Sequence, residues 1–295
     1  MNEYEATDPV LRYDAVSKDF GRREALRDCS FALPRGRVAA LVGVNGAGKT
    51  TLLRMAVGLA RPSAGRIDVL GEDPAATGTP AGVSYVAQDK PLYRRFQVRE
   101  MLRAAAVLNP GGRWDGAHAA SLIADAGIGV GQRIGELSAG QRARVAIALA
   151  LGRRPGLLLL DEPLAELDPL ARREIMGTVL AAVTETGMTV LLSSHVVTDI
   201  EDACDHLVVL GDRRVLLDGG IDELLAGHRI HSGPATSTAD NETVVHRSTR
   251  GRHTVALVRD HTPPAGPEAS GSTPTLEELV VAYLHAPTSS DAEAA

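Results

Sequence analysis

Gly43-Val44-Asn45-Gly46-Ala47-Gly48-Lys49-Thr50, followed by Thr51, decides how the rest of this 295-residue chain is read. The spacing is Gly, four residues, Gly, Lys, then Ser or Thr. It lies between an apolar run, Val38 to Val42, and a helically spaced set, Leu52, Leu53, Met55 and Ala56. Strand, glycine loop and helix are therefore expected in that order. The glycines let the loop turn its N–H groups inward around a phosphate chain at a helix N-terminus. In such a loop Lys49 reaches the β and γ oxygens and the Thr50 hydroxyl ligates Mg²⁺. Lys18, Lys49 and Lys90 are the only lysines in a chain that writes its other cations as Arg, so a lysine here is not surface filler.

Upstream of the loop, Val10 to Val16 and Ala25 to Leu33 alternate as antiparallel strands do. Phe20, between them, is either a platform for a purine ring or an ordinary packing aromatic. Downstream, Arg66 to Leu70 and Val83 to Ala87 read as strands, the second ending at Gln88, which spacing alone leaves as loop polarity or a site residue. From about 89 to 150 the pattern is helical, with Val98 to Leu108 and Ala117 to Ala126 separated by Asn109-Pro110-Gly111-Gly112. Leu137-Ser138-Ala139-Gly140-Gln141 opens a further helix. Ser138 and Gln141 fit a capping box, and the same helix N-terminus would also hold an anion; spacing does not choose.

Leu157 to Leu160 is a short buried strand that runs into Asp161-Glu162-Pro163. Two carboxylates after four leucines are costly unless a cation meets them. Beside a phosphate loop, Asp161 is placed to hold Mg²⁺ through water and Glu162 to take a proton from attacking water. Asp168 before Pro169 caps a helix to about Val183, whatever its further role. Met188 to Leu192 is the next buried strand, ending at His195. In a parallel sheet Gln88, Asp161, Glu162 and His195 would emerge along one edge, where ligands bind.

The net charge of −6 and a pI near 5.9 give no electrostatic footprint for nucleic acid. The arginines Arg94, Arg95 and Arg99 read as a solvated helix face. Cys29 and Cys204 lack metal or redox spacing and are expected in the core of a cytosolic protein. Met1 to Glu5 is too acidic for a signal peptide, and the apolar runs fall short of the roughly 20 residues a membrane span needs. After Asp222 the composition changes. Gly233 to Glu242 reads as a linker, Val244-Val245 and Val255 to Val258 as strands, Pro263 to Pro274 as flexible, and Leu276 to Leu284 as an amphipathic helix. His228, His231, His246, His253, His261 and His285 are expected at the surface, and Thr288 to Ala295 as a disordered tail.

Taken together, Gly43 to Thr50, Gln88, Leu137 to Gln141, Leu160 to Pro163, Leu167-Asp168 and His195 resemble, in order and spacing, the nucleotide-binding subunit of an ATP-binding-cassette transporter over roughly residues 8 to 220. The resemblance implies an α/β fold: a phosphate-loop ATPase core with a mixed sheet, antiparallel strands and an inserted α-helical subdomain at about 89–150, followed by a small α+β extension, 221–295. It implies ATP and Mg²⁺ as ligands, with Phe20 stacking on adenine and Asn45, Gly46, Ala47, Gly48, Lys49, Thr50 and Thr51 around the phosphates. Thr50, Gln88 and Asp161 then serve the metal, Glu162 is the base, and His195 touches the γ-phosphate. Ser138 and Gly140 act across a homodimer or related heterodimer that encloses two ATP, each ATP facing the neighbour's Leu137 to Gln141 segment, and Gln141 and Asp168 count among the nucleotide-binding residues. Two positions depart from the family pattern. Phe20 stands for the more usual Tyr and keeps the stacking face, and Ala139 stands for the first Gly of Leu-Ser-Gly-Gly-Gln.

The partner implied is a separate, multi-spanning permease that holds the ATPase on the inner face of the membrane. Arg214 to Leu225 and Thr275 to Leu284 further resemble bacterial drug-export-type cassettes, so export of drugs or other small molecules is the expected direction, with an importer ATPase as the alternative. A soluble cassette ATPase acting on ribosomes or DNA is the other alternative, and the single phosphate loop and acidic balance weigh against it.

Overall fold

The computed structural model describes residues 8–110, 113–233, 242–250, 253–260 and 271–286. β1 (Leu11–Phe20) and β2 (Arg23–Leu33) form an antiparallel hairpin with Phe20 at its tip. β3 (Val38–Val42) leads through the glycine loop into α1 (Lys49–Ala56). β4 (Ala64–Val69) returns to pair with β1, completing a three-stranded sheet in the order β2-β1-β4. After α2 (Pro74–Thr77) and β5 (Val83–Val86) come the helices α3 (Val98–Leu108), α4 (Gly116–Asp125) and α5 (Ala139–Leu151). The chain re-enters the sheet with β6 (Leu157–Leu160), crosses over on α6 (Pro169–Thr186), and continues through β7 (Thr189–Ser194), β8 (His206–Gly211) and β9 (Arg214–Gly220). Then follow α7 (Ile221–Ala226), β10 (His228–Gly233), β11 (Glu242–Arg250), β12 (His253–Asp260) and α8 (Leu276–His285).

The central sheet has the order β5-β6-β7-β3-β8-β9, parallel except for the antiparallel edge strand β9. Continuous apolar runs are what such strands need, because helices or a second sheet cover both faces. In β3 all five residues are buried, and successive side chains alternate between two apolar layers. Val38, Ala40 and Val42 join the layer containing Ile147 of α5 and Ile175 of α6, while Ala39 and Leu41 join Leu52 of α1 and Tyr13 and Leu26 of the hairpin sheet. The inserted helices have an apolar cluster of their own around Val98, Met101, Ile123 and Ile134. α5 belongs to both: Val145 and Ala148 face the insertion, Ala143 and Ile147 the main core. The α/β class with a mixed sheet and a helical insertion is therefore as expected.

Four parallel strands end on one edge, and each delivers part of the candidate site: the glycine loop after β3, Gln88 after β5, Asp161 and Glu162 after β6, His195 after β7.

Among the C-terminal residues one strand had no counterpart in the sequence-based expectations, and one expectation needs correction. β10 pairs with β12 and was not foreseen, because His228 to Gly233 shows no clean alternation. His228 on that strand is not a surface residue: it is 1% exposed, its Nδ1 lies 2.6 Å from the Leu224 carbonyl oxygen and its Nε2 2.8 Å from the Tyr283 hydroxyl. An imidazole offers two polar atoms, so two partners within reach satisfy both inside the core. Met1 to Glu5, the linker interior 234–241, residues 263–270 of the stretch expected to be flexible, His261 and the tail Thr288 to Ala295 lie outside the described residues.

Candidate active site

The glycine loop borders a cavity of about 1020 Å³ that Phe20, Lys49, Thr50, Gln88 and Glu162 also line. The loop is shaped by close approach. Gly48 has φ +112°, and a Cβ there would lie 2.6 Å from Leu26 Cδ2; a Cβ on Gly43 would lie 2.3 Å from the Leu210 carbonyl oxygen. Gly48 is also the N-cap of α1, so the free N–H groups of the first helical turn face the cavity with the positive end of the helix dipole. Phe20 at the hairpin tip is 54% exposed, with the Lys18 ammonium 4.8 Å from its ring centroid. An aromatic this exposed is not packing the core, and its ring borders the cavity of the phosphate loop.

Lys49 is 6% exposed and its Nζ donates to the Gly43 carbonyl at 2.6 Å while lying 3.2 Å from Glu162 Oε1. A buried ammonium needs such oxygen partners. The other Glu162 oxygen, Oε2, lies 2.8 Å from His195 Nδ1. Glu162 itself stands at φ +46°, a left-handed conformation that costs a non-glycine residue about 1–3 kcal/mol. Its backbone N–H donates to Ser193 Oγ at 2.9 Å, which holds the strained residue in place.

Asp161, 1% exposed, accepts three hydroxyl hydrogen bonds: from Thr50 Oγ1 at 3.0 Å and Ser193 Oγ at 2.9 Å on Oδ1, and from the Tyr85 hydroxyl at 3.2 Å on Oδ2. Burial first, then the Asp161 carboxylate, push the Tyr85 phenol up to about 12, so it remains a donor at neutral pH. A buried carboxylate beside a threonine hydroxyl at the phosphate loop is a hard-oxygen donor set of the kind Mg²⁺ takes. The residues present thus fit a nucleotide with its divalent cation.

Tyr85 and Ser193 escaped the sequence reading. The strands that carry them, β5 and β7, flank β6 on either side, and only that strand order brings their hydroxyls to Asp161.

Ser138, Gly140, Gln141 and Asp168 are not brought to this cavity. They line a separate one of about 510 Å³. Both halves of the capping box form: Ser138 Oγ accepts from the Gln141 N–H at 3.2 Å, and Gln141 Oε1 from the Ser138 N–H at 3.0 Å. Asp168 likewise caps α6 by accepting from the Ala171 N–H at 2.9 Å.

The ABC transporter family pattern matches residues 26–165. The chain is 34% identical over 241 residues to a Pseudomonas aeruginosa phosphonates import ATP-binding protein, PhnC 1, covering 74% of this chain and 86% of that one. It is 38% identical over 221 residues to the Escherichia coli aliphatic sulfonates import ATP-binding protein SsuB, covering 72% and 81%. The chain belongs to the ATP-binding subunits of ABC transporters. It is an ATPase of that family, an assignment that meets the phosphate loop, the carboxylate pair and the sheet on which they stand. Among solved structures, cbiO1 from Clostridium perfringens, part of the cbiONQ transporter complex, superposes with a TM-score of 0.65 at 29% identity over 74% of this cassette and 91% of that chain.

One expectation needs revision. Both named relatives are import ATPases, so the drug-export direction is not supported and the importer alternative fits better. The export expectation rested on a strand-and-helix pattern in the last 80 or so residues, and ATP hydrolysis by the cassette is the same chemistry for either direction. Among the described residues no helix is long and apolar enough to cross a membrane.

Proposed function

We propose that this cassette hydrolyses ATP to drive an import system, docked on the inner face of the membrane against a separate multi-spanning permease. Residues 1–220 form the ATPase unit in this reading and 221–295 an extension. The observation that carries the catalytic part is the Glu162 carboxylate held between Lys49 Nζ at 3.2 Å and His195 Nδ1 at 2.8 Å, at the mouth of the phosphate loop. A carboxylate so placed accepts a proton from water attacking the terminal phosphate, with His195 steadying both the carboxylate and the phosphate. Lys49 is shared: its ammonium moves from Glu162 toward the β and γ oxygens when phosphate enters, which frees Glu162 to act as base. Phe20 stacks on the adenine.

Thr50 and Gln88 would hold Mg²⁺ directly and Asp161 through water, with Tyr85 and Ser193 fixing the Asp161 carboxylate. Bound there, the cation neutralises charge developing on the transferred phosphoryl group.

Ser138, Gly140, Gln141 and Asp168 line a cavity separate from that of the phosphate loop, which favours their use by a partner copy: two cassettes enclosing two ATP, each offering its α5 N-terminus to the other's phosphate. The import direction rests on the phosphonate and sulfonate relatives. Cargo selection belongs to the permease, which holds the translocation path.

Tagged protein carrying Glu162→Gln, recovered from its native membranes in mild detergent with Mg²⁺ and ATP, tests the coupling. A multi-spanning protein in near-stoichiometric amount is expected, and deleting that permease should abolish uptake of its solute. Recovery of ribosomal or DNA-bound partners without a membrane protein would contradict the transport reading.

A further inference from the structure

We propose that Arg172 is a positioning residue for turnover: through Asp199 and the Leu167 carbonyl it locks the loop that precedes α6 to the segment that carries His195. The proposal rests on the catalytic reading of Glu162 and His195 given above and adds a residue to it.

Arg172 stands in the opening turns of α6 and its side chain folds back over the helix start. Its Nε donates to the Leu167 carbonyl at 3.0 Å, and its Nη1 donates to Asp199 Oδ1 at 2.8 Å and Oδ2 at 2.9 Å. Leu167 immediately precedes Asp168, the cap of α6. Asp199 closes the short 3₁₀ turn Val197–Asp199, which starts two residues after His195. One guanidinium therefore spans two loops that belong to different strands, β6 and β7. Both ends of the bridge are mostly withdrawn from water, Asp199 at 14% side-chain exposure and Arg172 at 31%. Ion pairs at the open surface contribute little; a half-buried charge-assisted pair with a third hydrogen bond to a backbone carbonyl fixes geometry.

Location gives the pair its role. Arg172 and Asp199 line a cavity of about 290 Å³ together with Asn45, Gln88, Glu162 and His195. His195 is the most exposed member of the Glu162 pair, at 43% side-chain exposure, and its own loop is anchored further on by Ile200, which is fully buried. Between those points the Asp199 carboxylate ties the His195 segment to the start of α6, beside the packing of Val197 on the main core. Tightening or releasing that tether changes where the imidazole stands relative to Glu162. At its other end the same guanidinium holds Leu167, beside the face proposed to meet the partner cassette. The state of that face and the placing of His195 are thereby tied together.

Arg suits the bridge because Nε and Nη1, fixed in one plane, donate separately to the two loops, an arrangement that a flexible lysine ammonium does not reproduce. Ile200 keeps the local chain in place when the tether is cut: its carbonyl accepts from the Ala203 and Cys204 N–H groups at 3.1 and 2.9 Å. The substitutions should therefore fold.

The test is a double-mutant cycle in the full chain with Arg172→Lys, Asp199→Asn and the double variant. Steady-state ATP turnover, equilibrium ATP affinity and thermal midpoint are measured for each. A misplacement of about 1 Å at a reacting group can cost up to about 100-fold, and a partial shift of His195 is expected to lower kcat about tenfold in each single variant. The ATP Kd should stay within about twofold, and the double variant should lose no more than the worse single one, since both remove one bridge. Unchanged kcat, losses that multiply in the double variant, or a fall in ATP affinity equal to the fall in kcat would each overturn the proposal. Glu162→Gln in the same assay separates the two levels: near-wild-type turnover there would remove the catalytic pair itself, and with it the role given to Arg172.

Discussion

Three hydroxyls, from Thr50, Ser193 and Tyr85, converge on the Asp161 carboxylate, and each removes a freedom that would otherwise blur where a cation can sit. Tyr85→Phe takes away the donor on Oδ2 together with the phenol's contact with Arg54. Losing an outer partner of a metal-binding group typically costs about 10–100-fold in metal affinity. The Mg²⁺ concentration for half-maximal turnover should rise about tenfold, with ATP affinity measured without metal unchanged; an unaltered Mg²⁺ titration would remove Tyr85 from the site. At this scale the sequence was legible where chemistry is contiguous. Gly43 to Thr50 and Asp161-Glu162 are read directly, because their roles follow from neighbours in the chain. Tyr85, Ser193, Arg172 and Asp199 were not, because each acts across strands or loops whose adjacency is a property of the sheet order. His228 failed for a related reason: its partners, Leu224 and Tyr283, come from two helices at different distances along the chain.

At the level of elements, the start of α5 holds two roles in one residue. Ser138 caps the helix, and it is proposed to meet a partner's phosphate. Ser138→Asp separates these, since Asp caps as well as Ser while placing a negative charge where phosphate would lie. Thermal midpoint should stay at the wild-type value while turnover falls by more than about tenfold, because opposed like charges cost several kcal/mol. Retained turnover would leave Ser138 as a cap only. The α5 helix itself was foreseen from spacing, and so was the capping box; which of its faces meets the insertion and which meets the sheet was not, because both stripes are apolar. Element boundaries moved by a few residues: α6 continues to Thr186, where Gly187 in the left-handed region ends it.

For the whole molecule, the residues after 220 share the main apolar layer. Leu279 and Val280 of α8 join Ile200, Leu217 and Leu257 in it, and α8 packs against β8, β9 and the turn Val197–Asp199. Leu279 is fully buried, so Leu279→Ala should cost about 2–5 kcal/mol, readable as a shift in a urea denaturation midpoint at unchanged slope. A loss below 1 kcal/mol would mean that the helix detaches readily. The change in composition after Asp222 gave no sign of this shared core, because an amphipathic helix does not show which surface it covers.

Glu162, poised between Lys49 and His195, is the proposed base for ATP hydrolysis. The most direct measurement is ATP affinity and turnover of Glu162→Gln side by side. The expected result is an ATP Kd within a few-fold of wild type and turnover lowered about 10²–10⁴-fold, the range a positioned general base contributes. Turnover near the wild-type rate with intact ATP binding would contradict it.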